Sequence, residues 1–182
     1  VDFVARNKVG GTNLNFFSFK QFPILPPKQY SLNDLAYIVP RVLELTYTAT
    51  DMQQWAEDVI NSATGEVRAA ILQALQQNPA CKAGAGTTGS TINPADLRPF
   101  PFNPERRALL RAELDAYYAM LYGLSRDDLV YILDPAEAMG EDYPSETFRV
   151  LKNNELKEFG EYRTRRLVLE AFDRLQKARA SQ

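Results

Sequence analysis

Residues 103–123 read NPERRALLRAELDAYYAMLYG, and this stretch decides the fold class. Asn103 followed by Pro104 is typical of a helix start, because Asn caps the first free amides and Pro fits the first turn. Gly123 is typical of a helix end. Between these signals apolar side chains recur at helical spacing, at Leu110, Leu114, Tyr117, Tyr118 and Leu121. The pattern predicts a long amphipathic helix.

Helical signals continue towards the C-terminus. Ser125 and Asp128 are spaced as a capping box, which predicts a second helix that Asp134 and the proline after it bring to an end. Ser145 is suited to cap a short third helix, and residues 161–179 carry the amphipathic spacing of a final one. This part of the chain is therefore predicted to be helical.

Upstream of residue 103 the chain is also predicted to be mostly helical. Ser31 and Asp34 predict a helix start, and Pro40 should kink that helix or split it in two. Further helices are predicted over residues 51–59 and from residue 64 or 65 to residue 77.

Two segments break the helical pattern. Residues 13–25 are aromatic and partly alternating, which predicts one or two short strands. Residues 78–103 include a Gly-rich run that predicts a flexible loop. The predicted fold is mainly α, with a short β-like N-terminal segment over residues 1–30 followed by a helical bundle over residues 31–182.

The amino-acid composition excludes several kinds of catalytic and metal site. The chain has no His, which excludes Ser-His-Asp and Cys-His catalysis and His-ligated metal sites. Its one cysteine, Cys81, excludes an internal disulfide and suits a reducing cytosol. No apolar run approaches the roughly 20 residues that span a bilayer. The start at Val1 has no signal-peptide pattern and is interpreted as a cut inside a longer protein. We therefore expect a cytoplasmic protein without membrane contact, and we predict neither catalytic residues nor metal ligands.

Charge is distributed unevenly, although the net charge is only −2. Residues 1–30 hold four Lys/Arg against one Asp, and residues 160–182 hold six Lys/Arg against three acids. Residues 31–60 and 105–159 are net acidic. Because phosphates attract cations, a DNA-facing surface should involve the two ends of the chain. The acidic middle suits a protein partner instead.

A series of short segments is spaced between residues 4 and 175. They are VGGTNLNFF (9–17), QFPILPP (21–27), PRVLELTYT (40–48), RAELDAYY (111–118), LYGLSRDD (121–128), YILD (131–134) and FGEYRTRR (159–166). In this order they resemble the C-terminal region of restriction-modification (type IIG-like) adenine-N6 DNA methyltransferases and their phage-defence relatives.

The resemblance implies a bacterial, site-specific parent enzyme whose missing N-terminal methyltransferase domain binds S-adenosylmethionine. Residues 1–30 would be the end of its target-recognition region. The enzyme's Asn-Pro-Pro-aromatic loop has no counterpart here, since Asn78, Asn93 and Asn103 are each followed by a single Pro. We therefore expect a non-catalytic DNA-recognition and scaffolding segment without a cofactor of its own. The alternative is a protein-interaction module that docks the methyltransferase to a nuclease or translocase partner.

Two groups of residues are candidates for contact with double-stranded DNA. In the N-terminal group, a Gly-Gly turn beside two cations can bring backbone amides close to a phosphate, and a plain structural turn is the alternative. In the C-terminal group, cations share one face of the last predicted helix. The alternative there is a solvated face held by i, i+4 ion pairs: Arg166 with Glu170, Glu170 with Arg174 and Asp173 with Lys177. The candidates are Arg6, Lys8, Gly10, Gly11, Thr12, Asn13, Lys20, Arg163 and Arg166.

The string Glu155-Leu156-Lys157 also matches part of a nuclease motif. Metal-dependent nucleases use Glu-x-Lys together with a distant acid, here Asp134 or Asp142. The string is common, however, and its segment has a helical pattern. A solvated helix face is therefore the favoured interpretation.

The tyrosines and the tryptophan also allow two interpretations, base stacking or core packing. Tyr117, Tyr118, Tyr122 and Tyr131 could stack on bases, but the first two lie on the apolar stripe. Core packing is favoured for these tyrosines, and Trp55 is likewise expected to anchor a core rather than stack on a base.

Overall fold

The computed structural model describes residues 1–9, 13–63, 65–80, 94–140, 142–143 and 147–181. The regular structure of these residues is helical, and no strand occurs among them. Contacts divide the chain into two compact units. Unit 1 comprises Val1–Leu25 with Arg111–Gln182, and unit 2 comprises Pro26–Leu110. The predicted domain boundary near residue 30 stays a prediction.

Helices cover most of both units. In chain order they are α1 (Asp2–Lys8), α2 (Phe16–Phe19), α3 (Leu32–Thr46), α4 (Gln53–Ser62), α5 (Gly65–Gln77), α6 (Pro104–Leu121), α7 (Arg126–Leu133), α8 (Pro135–Met139), α9 (Arg149–Phe159) and α10 (Arg163–Ala180). Short 3₁₀ turns occur at Pro27–Gln29, Thr50–Met52 and Pro94–Asp96. Over the described ranges, none of the helices combines the length and the apolar content that crossing a bilayer requires.

Side-chain caps set several helix starts as predicted. Ser31 Oγ accepts a hydrogen bond from the amide of Asp34 at 3.2 Å, and Asp34 accepts one from the amide of Ser31 at 2.7 Å. Ser125 and Asp128 repeat this capping box at the start of α7. Asn103 Oδ1 accepts from an amide in the first turn of α6 at 3.0 Å. These predicted helix starts are confirmed.

The core of unit 2 lies where α3, α4 and α5 pack together. Its buried members are Leu43, Tyr47, Ala56, Ile60, Val67, Ile71, Leu75, Leu97 and Phe100. Tyr47 donates a hydrogen bond from its hydroxyl to the carbonyl of Leu97 at 3.1 Å, and its own carbonyl accepts from the amide of Phe100 at 2.9 Å. These two bonds hold residues 97–100 against the end of α3.

A buried carboxylate also organises unit 2. Glu44 is 6% exposed, and its two oxygens accept hydrogen bonds from Arg106 Nε and Nη2, both at 3.0 Å. Asn78 Nδ2 donates to the same carboxylate at 2.6 Å, while Asn78 Oδ1 accepts from the amide of Ala80 at 2.9 Å. Because a buried charge needs compensation, this bidentate pair is what allows Glu44 to lie inside.

The core of unit 1 is built on small side chains of α6. Ala112, Ala116 and Ala119 are 3%, 0% and 5% exposed, and they share a cluster with residues of α7 and α10. The buried partners are Leu129, Val130, Leu133, Val168, Leu169, Ala171 and Phe172. Since Ala ends at Cβ, this face of α6 leaves room for the larger side chains of its neighbours.

The prediction of strands in residues 13–25 is wrong for the residues that form α2. Phe16–Phe19 is a single helical turn, and Asn15 Oδ1 caps it by accepting from the amide of Ser18 at 2.8 Å. Phe16 and Phe17 are consecutive, so the alternation that a half-buried strand needs is interrupted at this point. The capping side chain then decides the local conformation.

Two further expectations concern Pro40 and the predicted flexible loop over residues 78–103. Helix α3 runs without interruption through Pro40, so the predicted split does not occur. The predicted flexible loop is wrong near its end, because Leu97 and Phe100 are buried in the core of unit 2. Residues 81–93, which hold the Gly-rich run, and Ser145 lie outside the described residues.

Candidate functional site

The first N-terminal candidates lie on α1. Arg6 Nε is 3.0 Å from Asp2 Oδ2 in an exposed i, i+4 ion pair. Lys8 Nζ donates instead to the side-chain oxygen of Gln21 at 3.3 Å. The positive charge of Arg6 is therefore compensated locally, whereas Lys8 contacts a neutral amide.

Aromatic and apolar side chains accompany Lys20. Lys20 Nζ lies 4.5 Å from the centroid of the Phe16 ring, within range of a cation–π contact. Phe16 and Phe17 are 70% and 76% exposed, and Leu14 and Ile24 are also exposed. Over the described part of residues 1–25, this segment presents basic and apolar groups together on its surface.

The structure brings some of the N-terminal candidates together. The bond from Lys8 to Gln21 places the end of α1 beside the residue that follows Lys20, so both lysines belong to one region of unit 1. Asn13 is exposed. Gly10, Gly11 and Thr12 lie outside the described residues, and the Gly-Gly turn stays a prediction.

The C-terminal candidates have different surroundings. Arg166 donates to Glu161 at 2.8 Å and to Glu170 at 3.2 Å, and these bonds raise the pKa of its guanidinium above the ordinary value. The guanidinium of Arg163 lies 3.8 Å from the ring centroid of Phe159. Arg166 is therefore neutralised by two carboxylates, and Arg163 stacks on an aromatic ring.

Two further charged residues of α10 pair with residues of other helices. Arg174 is 3.5 Å from Glu113 of α6, and Asp173 is 2.9 Å from Arg126 of α7. The predicted i, i+4 pair of Arg166 with Glu170 is present. For Arg174 and Asp173 the partners on adjacent helices replace the predicted i, i+4 neighbours. The polar face of α10 thus helps to tie α6 and α7 to it.

Glu155 is not on a solvated helix face as predicted. Its side chain is buried, and its two oxygens accept from the amide and the hydroxyl of Thr164 at 2.7 and 2.6 Å. It therefore holds the first turn of α10, where negative charge is favoured by the free amides. Across the described ranges, no group of three or more His, Cys, Asp or Glu side chains is arranged to hold a metal ion.

The tyrosines considered for base stacking separate into two kinds of position. Tyr117 is 7% exposed, as core packing predicts. Tyr131 is 39% exposed on α7. Tyr118 and Tyr122 line a cavity in unit 1. Trp55 packs against the core of unit 2, as predicted.

The cavity in unit 1 has a volume of 240 Å³. Its wall is mostly apolar and includes Leu124, Leu129, Ile132, Leu133, Phe148 and Leu151. Its polar and charged lining residues include Val1, Asp2, Asp115 and Tyr162. The Tyr162 hydroxyl is buried and has no hydrogen-bond partner among the described residues.

The environment of Asp115 opposes its ionisation. Asp115 is exposed by its accessible surface, but protein atoms lie around its carboxyl on most sides and displace much of the surrounding water. This desolvation raises the pKa of the Asp115 carboxyl to about 6. The negative charge of Asp2 adds to the rise, and the positive charges of the Val1 ammonium and of Arg111 oppose it.

We expect Asp115→Asn to stabilise the protein at neutral pH. The raised pKa means that the folded state binds the proton of Asp115 more tightly than the unfolded state does. The protonated acid therefore contributes its full stability below about pH 4, and this contribution is lost as the pH rises through about 6. Removing the charge should gain on the order of 1 kcal/mol at pH 7.5, after allowing for solvent screening. Thermal unfolding at pH 4 and pH 7.5 measures this. A gain of equal size at both pH values, or a loss at pH 7.5, would contradict the assigned environment.

The chain has no significant match among protein-family models, curated proteins or solved structures. The sequence does not predict this cavity, because its lining residues come from several separate segments of the chain, although Tyr118 and Tyr122 stand out as aromatic residues. A further local signal is a carboxylate at residue 115 between the apolar Leu114 and Ala116.

Proposed function

We propose that this chain is a non-catalytic DNA-recognition and scaffolding segment of a bacterial adenine-N6 DNA methyltransferase of a restriction-modification or phage-defence system. The ordered series of segments between residues 4 and 175 supports the family. The observation that carries the DNA role is the pair Lys8 and Lys20, whose described contacts are with a neutral amide and an aromatic ring. S-adenosylmethionine and the methyl-transfer chemistry would belong to the rest of the parent enzyme.

The sequence around the two lysines favours phosphate binding. Between Asp2 and Asp34 the chain has no acidic residue, while it has four Lys/Arg. A cation without an acidic partner needs little reorganisation to contact a phosphate, and it releases a condensed counterion when it does so. Arg6 would first have to leave Asp2, and Arg166 would have to leave two glutamates. We therefore expect Lys8 and Lys20 to contribute most of the DNA affinity.

A second candidate function is docking to a nuclease or translocase partner. The exposed aromatic side chains of Phe16 and Phe17, with Leu14 and Ile24 nearby in sequence, favour this alternative. Contiguous apolar surface commonly marks a protein interface. Docking through these side chains would depend on apolar contact and therefore only weakly on salt.

Duplex binding at several salt concentrations separates the two functions. We expect the chain to bind double-stranded DNA with an affinity that falls steeply as salt rises. Lys8→Ala with Lys20→Ala should weaken binding and reduce the slope of log affinity against log salt by about two units, because two phosphate contacts are lost. Fluorescence anisotropy with a labelled duplex gives both quantities.

Matched variants control for the loss of charge. Lys157→Ala with Lys177→Ala also removes two exposed lysines and should leave the salt slope nearly unchanged. Arg163→Ala with Arg166→Ala should have a smaller effect than the Lys8 and Lys20 pair. Equal slopes for all three double variants would refute the assignment of the DNA surface. An absence of salt-dependent duplex binding by the unmodified chain would refute the DNA function and leave docking as the proposal.

A further inference from the structure

Two consecutive phenylalanines are displayed on the surface of unit 1. Phe16 and Phe17 are 70% and 76% exposed, and they lie on the single turn α2, which the Asn15 side chain caps. After this turn the hydroxyl of Tyr122 donates a hydrogen bond to the carbonyl of Pro23. The segment is therefore attached to the rest of unit 1 beside the turn. An aromatic side chain on an attached turn loses less conformational freedom when it binds than one on a free tail.

Two lysines accompany the exposed rings. Lys20 Nζ lies 4.5 Å from the centroid of the Phe16 ring, and Lys8 donates to the side chain of Gln21 at 3.3 Å. The sequence has no acidic residue over positions 3–33, so acids of the same segment do not offset these charges. Aromatic rings combined with cations bind unpaired nucleotides in many proteins, because a ring stacks on a base while the cations contact phosphates. The charge of this surface is complementary to a polyanion.

An intact duplex offers little to an exposed ring, since each base is covered by its stacked neighbours. Opening a base step costs free energy, and this cost is smallest where a base is already unpaired or displaced. We propose that this surface prefers DNA that contains unstacked bases. Phe17 stacks on such a base, and Lys8 and Lys20 contact the phosphates beside it. Phe17 has this role because Lys20 already lies over the ring of Phe16. The inference rests on the proposed DNA function and names the form of DNA that is recognised.

Two DNA probes test the preference with the full chain. One is a fully paired duplex, and the other is the same duplex with a short run of unpaired thymidines at its centre. Fluorescence anisotropy should show the second probe binding at least about tenfold more tightly, which is the effect expected from stacking one base on an aromatic ring. Lys8→Ala with Lys20→Ala should weaken the binding of both probes by a similar factor, because both contain phosphates.

Substitutions of Phe17 isolate the stacking contact. Phe17→Ala should weaken binding of the probe with unpaired bases about tenfold. It should leave binding of the paired duplex within about twofold, because phosphate contacts supply that affinity. Phe17→Leu keeps a large apolar side chain without a ring and should behave like Phe17→Ala, whereas Phe17→Trp should keep the preference. Phe102→Ala removes a phenylalanine of unit 2 that is 73% exposed, and this matched control should bind both probes normally.

The outcomes separate this inference from the proposed function. Equal affinity of the unmodified chain for the two probes would overturn the preference and leave the DNA function standing. The preference is also overturned if Phe17→Leu retains it, because the side chain would then act only through its apolar surface, as docking to a protein partner requires. An equal loss of both probes in Phe17→Ala would count against stacking in the same way. If neither probe binds in a salt-dependent manner, the DNA function fails together with the inference.

Discussion

Arg106→Ala should lower the free energy of unfolding of unit 2 by about 3 kcal/mol, because it removes the partner of a buried charge. Glu44 is 6% exposed and, among the residues that the structure describes, would keep only the hydrogen bond from Asn78. Urea denaturation followed by the fluorescence of Trp55 measures the loss. Trp55 is the single tryptophan of the chain and packs against the core of this unit.

Two comparisons identify the buried charge as the cause. Arg98→Ala removes an exposed arginine of the same unit and should change the free energy of unfolding by less than about 0.5 kcal/mol. Adding Glu44→Gln to Arg106→Ala should recover part of the loss, since a neutral amide is less costly to bury than an unpaired carboxylate. If Arg106→Ala lowers the free energy of unfolding no more than Arg98→Ala does, Arg106 does not compensate a buried charge on Glu44.

Phe172→Ala should destabilise unit 1 by about 4 kcal/mol, which is typical when a buried aromatic side chain is removed from a tight core. Phe172 is 1% exposed and belongs to the cluster of alanines on α6. The alanines in this cluster end at Cβ and cannot extend into the space that is left. Amide hydrogen exchange in α10 reports the stability of this unit.

Val150→Ala serves as the comparison for Phe172→Ala. Val150 is 72% exposed on α9, and its truncation should change hydrogen exchange by less than about 0.5 kcal/mol. Similar losses for the two variants would mean that the alanine face of α6 does not form the core. A loss below about 2 kcal/mol for Phe172→Ala would mean that the core collapses around the gap.

The helical architecture was largely accessible from the sequence because its signals are local. A capping residue and its partner lie three residues apart, as with Ser31 and Asp34 or Ser125 and Asp128, and these geometries are set within one turn. Asn103 and Gly123 bracket α6 in the same way. Where local signals conflicted, as in Phe16–Phe19, the aromatic composition suggested a strand although the Asn cap favoured a helical turn.

The core faces were harder to predict because burial depends on neighbours distant in sequence. The apolar stripe on α6 emphasised Leu114 and Leu121, both of which are only partly buried. Ala112, Ala116 and Ala119 are more deeply buried, but alanine is common on exposed and buried helix faces alike. The partner helices require small side chains on this face of α6. The pattern of apolar residues within α6 alone does not show that requirement.

For the candidate functional residues too, the sequence shows local features, whereas features that depend on tertiary contacts appear only in the structure. Lys8 and Lys20 were identified from local charge, but the sequence ranked Arg6 beside Lys8, and only the structure shows that Asp2 compensates Arg6. The raised pKa of Asp115 results from burial among several helices, which no spacing within α6 indicates. Glu44 was similarly inconspicuous, since its partner Arg106 is 62 residues away along the chain.

The bonds around α3 also make unit 2 a practical host for an inserted sequence. Asn78 is fixed by Glu44 before residues 81–93, and Leu97 and Phe100 are fixed by Tyr47 after them. Both flanks of that stretch are thus tied to a single helix, whatever its length. Because none of these bonds involves residues 81–93, we expect an epitope or a reporter peptide inserted between the anchors to leave the bonds of Asn78, Leu97 and Phe100 in place.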